Sequence, residues 1–318
     1  MIYPKKDVLK RYEGNPILKP RDMPAACCAL YNSGCVKTPA GEYVMASRFE
    51  SPDKTQYTWI SRSRDGLRFT PDPKPMDFVC KPEDQEEFDR TTKMAGPGIG
   101  TWWDARINPL EGRHYITYAA VSPHGCRIGI AETKDFKTSQ HVSFPFHIQN
   151  RNAVLFPEKI GGEYWMLHRP QHPSGGGSVW IASSPDLKYW GNCKVVCDPQ
   201  CYWEAKKIGP AAPPIRTEKG WLEVYHGVFP HCNGLNYACG VMLLDLEQPW
   251  KVVARARMPI LFVEEQYEMI GQVPNVIFPG AVIPEKNGSV KVYYGGADYV
   301  QCLATGALDD LIAACFER

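Results

Sequence analysis

Four of the five strand-like phrases that recur along this 318-residue chain end on a side chain able to carry charge. The phrases are Tyr43-Val-Met-Ala-Ser-Arg48, Tyr115-Ile-Thr-Tyr-Ala-Ala120, Tyr164-Trp-Met-Leu-His-Arg169, Trp221-Leu-Glu-Val-Tyr-His226 and Tyr293-Tyr-Gly-Gly-Ala-Asp298. Apolar strands ordinarily end in turn residues. Ends made of Arg48, Arg169, His226 and Asp298 point instead to several strands converging on one polar site. Two further cations, Arg151 in Arg151-Asn-Ala-Val-Leu-Phe-Pro157 and Lys207 in Lys206-Lys-Ile-Gly209, belong to the same two repeats as Arg169 and His226. Four cationic or potentially cationic groups in adjacent repeats need an anion to offset their repulsion. The arginine fork suits phosphate oxygens, and lysine acts as a point charge. The competing reading is four separate surface or ion-paired residues.

Asp104, in Thr101-Trp-Trp-Asp-Ala-Arg106, is the candidate proton donor. A carboxyl beside two indole rings is shielded from water, the setting a general acid requires at neutral pH. Aromatic rings such as Trp103 are also what sugar faces pack against. The competing reading is an Asp that pairs with Arg106 and closes a turn. Other chemistries lack their residues. There is no Gly-x-Gly-x-x-Gly after a strand, no Walker loop and no Gly-x-Ser-x-Gly elbow. His168 and His172 flank Pro170, which opposes the helix a zincin pair needs. Cys193, Cys197 and Cys201 lack a second Cys/His pair at finger spacing, so no metal site is expected. The carboxylates declare no obvious pair. A conventional glycosidase needs two carboxyl groups at its site, whereas an enzyme that uses phosphate as its nucleophile needs only the acid.

The elements that position these groups are short strands. Period-two and fully apolar runs dominate, and 27 Gly and 28 Pro punctuate them every ten or so residues. A second phrase follows each core phrase: Ser63-Arg-Asp-Gly-Leu-Arg-Phe69, Thr133-Lys-Asp-Phe136, Ser184-Pro-Asp-Leu-Lys-Tyr-Trp190, Asp245-Leu-Glu-Gln-Pro-Trp250 and Leu308-Asp-Asp-Leu311. Core phrase and acidic turn, five times over, predict an all-β, five-bladed β-propeller, with each phrase as the innermost strand of its blade. A large β-sandwich is the alternative and would scatter the strand ends. The whole chain, 1–318, is expected to form one catalytic domain. Thr70 to Gly100 reads as a long surface loop between blades one and two. Gly175-Gly-Gly177 reads as a flexible hairpin turn near Arg169, with a lid as the less favoured alternative. A net charge of +1 gives no global case for nucleic acid or an anionic membrane. No apolar run is long enough to span a bilayer. The N-terminus lacks a secretory h-region, so a cytoplasmic location with twelve free thiols is expected.

Several long motifs, in order along nearly the whole chain, resemble glycoside hydrolase family 130. They are Asn15-Pro-Ile-Leu18, Asp104-Ala-Arg106, Arg151-Asn-Ala-Val-Leu-Phe-Pro-Glu-Lys159, His168-Arg-Pro170, Lys207-Ile-Gly209, Gly220-Trp-Leu-Glu-Val-Tyr-His-Gly227 and Val273-Pro-Asn-Val-Ile-Phe-Pro279. The resemblance implies a five-bladed propeller acting on β-mannosides, and is strongest to the phosphorylases of β-1,4-mannooligosaccharides and of mannosyl-N-acetylglucosamine. It implies that Asp104 is the acid, acting through the 3-hydroxyl of the transferred mannose. It assigns inorganic phosphate, a co-substrate with no other cofactor, to Arg151, Arg169, Lys207, His226 and Tyr237. It places the mannose on Asn32, Ser33, Arg48 and Asp298, with Trp103 and Arg106 beside them. The product would be α-mannose 1-phosphate, formed with inversion. The enzyme is expected to assemble as a homo-oligomer. The rivals are a β-mannosidase on the same fold, which need not use phosphate, and a non-catalytic sugar-binding propeller.

Overall fold

The computed structural model describes residues 8–92, 102–232 and 234–317. Five antiparallel sheets follow one another along the chain. Their first strands are Ala29–Lys37, Trp102–Leu110, Asn150–Leu155, Lys207–Pro210 and Ile277–Pro284. Five apolar clusters join the sheets into a ring. They pack blade one on two (Val44 with Ile116), two on three (Ile130 with Met166) and three on four (Leu167 with Trp221). Blade four then packs on five (Val224 with Val292), and five returns to one (Tyr293 with Tyr43). The ring closes when Lys10–Arg11 pairs antiparallel with Val300–Ala307, so the N-terminal strand becomes the outer strand of blade five. Arg11 secures that closure by binding both oxygens of the fully buried Glu268.

The recurrent phrases lie on Tyr43–Glu50, Arg113–Ser122, Tyr164–Pro170, Gly220–His231 and Ser289–Gly296. These are the second strands of the blades, not the innermost ones as expected. The reason is physical. A second strand has ladder partners on both edges and a neighbouring blade on both faces, so it reads as a nearly continuous apolar run. The first strands are less conspicuous because a bulge interrupts four of them, between Leu30 and Ser33, Trp103 and Arg106, Arg151 and Val154, and Pro279 and Ala281. A bulge re-aims side chains out of the regular alternation.

The acidic turns share one geometry. Asp65 accepts from the backbone N–H of Leu67 and Arg68, Asp135 from Lys137 and Thr138, Asp186 from Lys188 and Tyr189, and Asp245 from Glu247 and Gln248. The fifth copy departs: Leu308–Ala314 is a helix. The expected loop from Thr70 to Gly100 is also partly ordered. It supplies the outer strand of blade one (Thr70–Pro71) and an extra strand of blade two, Asp77–Val79, parallel to Thr138–Ser143. Helix Gln85–Thr92 follows; the remainder, 93–100, lies outside the described residues. No described helix is long and apolar enough to cross a membrane.

Candidate active site

A cavity of about 270 Å³ opens where the strand ends converge, and all five blades contribute to it. The first strands supply Asn32, Asp104, Arg151, Asn152, Lys207 and Phe278. The second strands, or the turns just beyond them, supply Arg48, Arg169 and Asp298, and Tyr237 comes from the third strand of blade four.

Asp104 occupies the bulge of its strand in the left-handed region, φ 53°. Its Oδ1 accepts from Asn32 Nδ2 at 3.2 Å and faces Arg48 Nη1 at 3.5 Å. Oδ2 has no protein partner among the described residues, which leaves it as the oxygen able to carry a transferable proton. The two tryptophans beside Asp104 diverge. Trp102 stacks on Phe78 at 4.3 Å and anchors the inserted helix through Phe88. Trp103 lines the cavity, but Arg48 lies over its ring at 3.9 Å. The other face of Arg48 is 4.1 Å from Tyr31, and its Nε donates to Gln56 at 2.6 Å. Asp298 stands on two consecutive left-handed residues, Ala297 (φ 48°) and Asp298 (φ 49°), held by Val276 and Val273 through the Ala297 backbone. Burial and then the neighbouring Asp104 push its carboxyl up to about 7, against the pull of Arg48.

The opposite wall is basic. Arg151, Arg169 and Lys207 share the cavity, and no carboxylate makes an ion pair with any of them among the described residues. Burial, with Arg151 adding repulsion, pulls the Arg169 guanidinium down to about 10. Burial, Arg169 and Arg151 pull Lys207 down to about 8. His226 is not a fourth cation in this cluster. It is fully buried behind Arg169, whose Nη1 donates to His226 Nε2 at 2.8 Å. A guanidinium only donates, so Nε2 accepts and the imidazole is neutral. Burial, Arg169 and Lys207 accordingly hold its pKa well below the usual value. Two glycines make room for this pair. A Cβ on Gly209 would stand 2.7 Å from His226 Cε1, and one on Gly177 would stand 2.8 Å from Arg169 Cδ. The Gly175–Gly177 turn therefore packs on Arg169.

Two expected sugar contacts lie elsewhere. Ser33 is fully buried and donates to Gln301, whose amide in turn binds the backbone of Leu30 beside the blade-one bulge. Arg106 is 1 % exposed and reaches backbone carbonyls rather than the cavity. It does not pair with the Asp104 carboxylate either; its Nη1 binds the Asp104 carbonyl at 2.9 Å.

The family model for glycoside hydrolase family 130, described as β-1,4-mannooligosaccharide phosphorylase, matches residues 3–317. The chain belongs to this family. It is 36 % identical over 312 residues to a β-1,4-mannooligosaccharide phosphorylase of Ruminococcus albus, covering 96 % of this chain and 90 % of the relative. It is 33 % identical over 315 residues to a 1,2-β-oligomannan phosphorylase of a Thermoanaerobacter species, covering 95 % and 98 %. The β-1,2-mannobiose phosphorylase of Listeria innocua, solved with β-1,2-mannobiose, superposes with a TM-score of 0.83 at 27 % identity, covering 96 % of this chain and 99 % of that one.

Within this family 130 cavity, Tyr31, Asn152 and Phe278 are lining residues that sequence reasoning passed over. Asn152 sits in a bulge at φ 59°, as Asp104 does, and a short polar residue able to adopt that conformation is the signal that could have found it. Tyr31 and Phe278 carry no comparable signal, because an aromatic residue in an apolar strand reads as core.

Proposed function

We propose that this chain is an inverting β-mannoside phosphorylase that cleaves β-1,4-mannosidic linkages with inorganic phosphate. Phosphate occupies the wall formed by Arg151, Arg169 and Lys207, with Tyr237 beside it and His226 orienting Arg169. One of its oxygens forms the new bond to the anomeric carbon of mannose. The bond to the glycosidic oxygen breaks on the opposite face. Asp104 gives its proton to that oxygen through the 3-hydroxyl of mannose, and the products are α-mannose 1-phosphate and the shortened acceptor. Arg48, Asn32, Asp298 and Trp103 hold the mannose.

The observation that carries this reading is the uncompensated trio Arg151, Arg169 and Lys207 in one cavity with Asp104. Buried cations without counterions are unfavourable until an anion arrives. A bound phosphate gains several charge-assisted hydrogen bonds at once and is preorganised for in-line attack. The family description and the Ruminococcus albus relative favour the β-1,4 linkage. A second carboxyl in the cavity, Asp298, is what a β-mannosidase reading would draw on.

The test is incubation with β-1,4-mannobiose and β-1,2-mannobiose, with and without phosphate, followed by NMR. Phosphate-dependent α-mannose 1-phosphate from the β-1,4 substrate is expected. Free mannose at equal rates without phosphate would establish hydrolysis instead, and turnover of the β-1,2 substrate alone would overturn the linkage.

A further inference from the structure

The bulge that carries Asp104 is held from behind by a chain of hydrogen bonds crossing the ring of blades. Arg106, two residues along the same strand, folds its guanidinium back on the bulge. Nη1 donates to the carbonyls of Asp104 at 2.9 Å and Ala105 at 3.3 Å. Nε donates to the carbonyl of Ala211 in blade four at 2.6 Å, and the guanidinium lies 5.2 Å from the ring of Phe278 in blade five. The Ala211 peptide is fixed in turn from its other side, since its N–H donates to Glu223 Oε1 at 3.2 Å. Arg106 and Glu223 are both buried, and each keeps one atom, Nη2 and Oε2, without a protein partner among the described residues. Nothing in the proposed reaction requires a buried arginine and a buried glutamate here. Groups so costly to bury are retained where they fix a geometry.

We infer that Arg106 and Glu223 are positioning residues: through the Ala211 peptide they clamp the Asp104 bulge across the propeller axis and aim its carboxyl at the leaving oxygen. This inference rests on the reading of Asp104 as the acid. A left-handed, non-glycine residue in an interrupted ladder relaxes unless its surroundings over-determine it. Two carbonyls gripped by one planar guanidinium supply that constraint. Lysine keeps the charge but offers no planar fork. Electrostatics act alongside: burial pulls Arg106 down to about 10, opposed by Asp104 and Glu223. Glu223 is pushed well above the usual carboxylate range by burial, opposed by the Ala211 N–H and Arg106.

The experiment compares two substrates in the presence of phosphate. β-1,4-Mannobiose needs a proton on its leaving oxygen, whereas 2,4-dinitrophenyl β-mannoside does not. In Arg106→Lys, kcat on mannobiose is expected to fall by about 10²-fold, the cost of a carboxyl displaced by roughly an ångström. On the dinitrophenyl substrate the loss is expected to stay below about threefold, because no acid is required. The KM for phosphate is expected to stay within about threefold of wild type, since the anion wall is untouched. Glu223→Leu gives the same pattern at about tenfold, and Glu223→Gln, which keeps an acceptor for the Ala211 N–H, recovers most of it. Equal losses on both substrates, or no loss on mannobiose, overturn the clamp. If the wild-type protein releases no α-mannose 1-phosphate, the phosphorylase reading fails separately. The clamp is then decided by the crystal structure of Arg106→Lys, in which an unchanged left-handed Asp104 overturns it and a relaxed bulge supports it.

Discussion

Arg48 and Arg169 both close a phrase strand and both line the cavity, yet their surroundings are opposite. Arg48 lies between the rings of Tyr31 and Trp103, donates to Gln56 and faces the Asp104 carboxylate. Gln56 passes the connection on to Glu50 at 2.6 Å. Arg169 has the neutral His226 and two cationic neighbours, and its Nε lacks a protein partner. The protein does pair buried arginines elsewhere: Arg255 meets the fully buried Glu204, and its pKa is raised. The unpaired state of Arg169 is therefore local to the cavity. The comparison teaches a division of labour. The wall from blades one, two and five is internally neutralised and suits an uncharged sugar. The wall from blades three and four has its charge left over, and suits an anion that must come and go.

The division is broken or sharpened first by Asp104→Asn. A positioned general acid contributes about 10²–10⁴-fold, so kcat on β-1,4-mannobiose is expected to fall by roughly 10³-fold. The KM for phosphate is expected to move by less than about twofold, as the charge on the opposite wall is unchanged. A large change in phosphate affinity would merge the two halves. Arg169→Ala comes next and tests the other wall. Losing charge-assisted bonds to an anion costs about 2–3 kcal/mol, so kcat/KM for phosphate is expected to fall on the order of 10²-fold. Initial rates at varied phosphate and fixed mannobiose measure it, and a compensating rise in mannobiose KM would place Arg169 on the sugar side.

The propeller was legible because its middle strands are the most enclosed. Tyr43–Glu50 and Ser289–Gly296 are buried almost throughout, so each reads as an apolar run, and the Asp of each acidic turn is chosen by backbone N–H groups that fix the turn. The same enclosure hid the first strands. Trp102–Leu110 mixes two indoles, a carboxylate and a buried arginine across a bulge, and no periodicity marks which of them faces the axis. A bulge changes the face of every later residue, so the side on which Arg106 lies could not be read from its spacing to Asp104. Ser33 misled for the same reason, one residue beyond the bulge of blade one. His226 was legible as a site residue but not as a neutral acceptor, because that depends on a guanidinium 57 positions away in sequence.

A smaller effect separates the walls by pH. Lys207 is pulled down to about 8 by burial and by Arg169 and Arg151. It is charged below that value and neutral above it. The KM for phosphate is thus expected to rise as pH increases through about 8, by a few-fold for loss of one charged contact. Lys207→Arg, which stays protonated, is expected to move that limb to higher pH. A limb unmoved by the substitution would assign the titration to another group.

The smallest expected effect is a gain in stability on the sugar side, from Asp298→Asn. The native carboxyl titrates at about 7 because it is buried beside Asp104, whereas in the unfolded chain it titrates near about 4. Between those values the native state holds a proton that the unfolded state has released, so wild-type stability falls as pH rises through that window. Asparagine has no charge to bury. Its gain over wild type is expected to be larger at pH 8 than at pH 5, by at most about 4 kcal/mol for a shift of roughly three units at 1.36 kcal/mol each. Thermal unfolding at the two pH values measures the difference. A gain independent of pH would mean that the ionised carboxylate is already satisfied in the fold, and the neutral wall would then owe its balance to Arg48 rather than to a protonated Asp298.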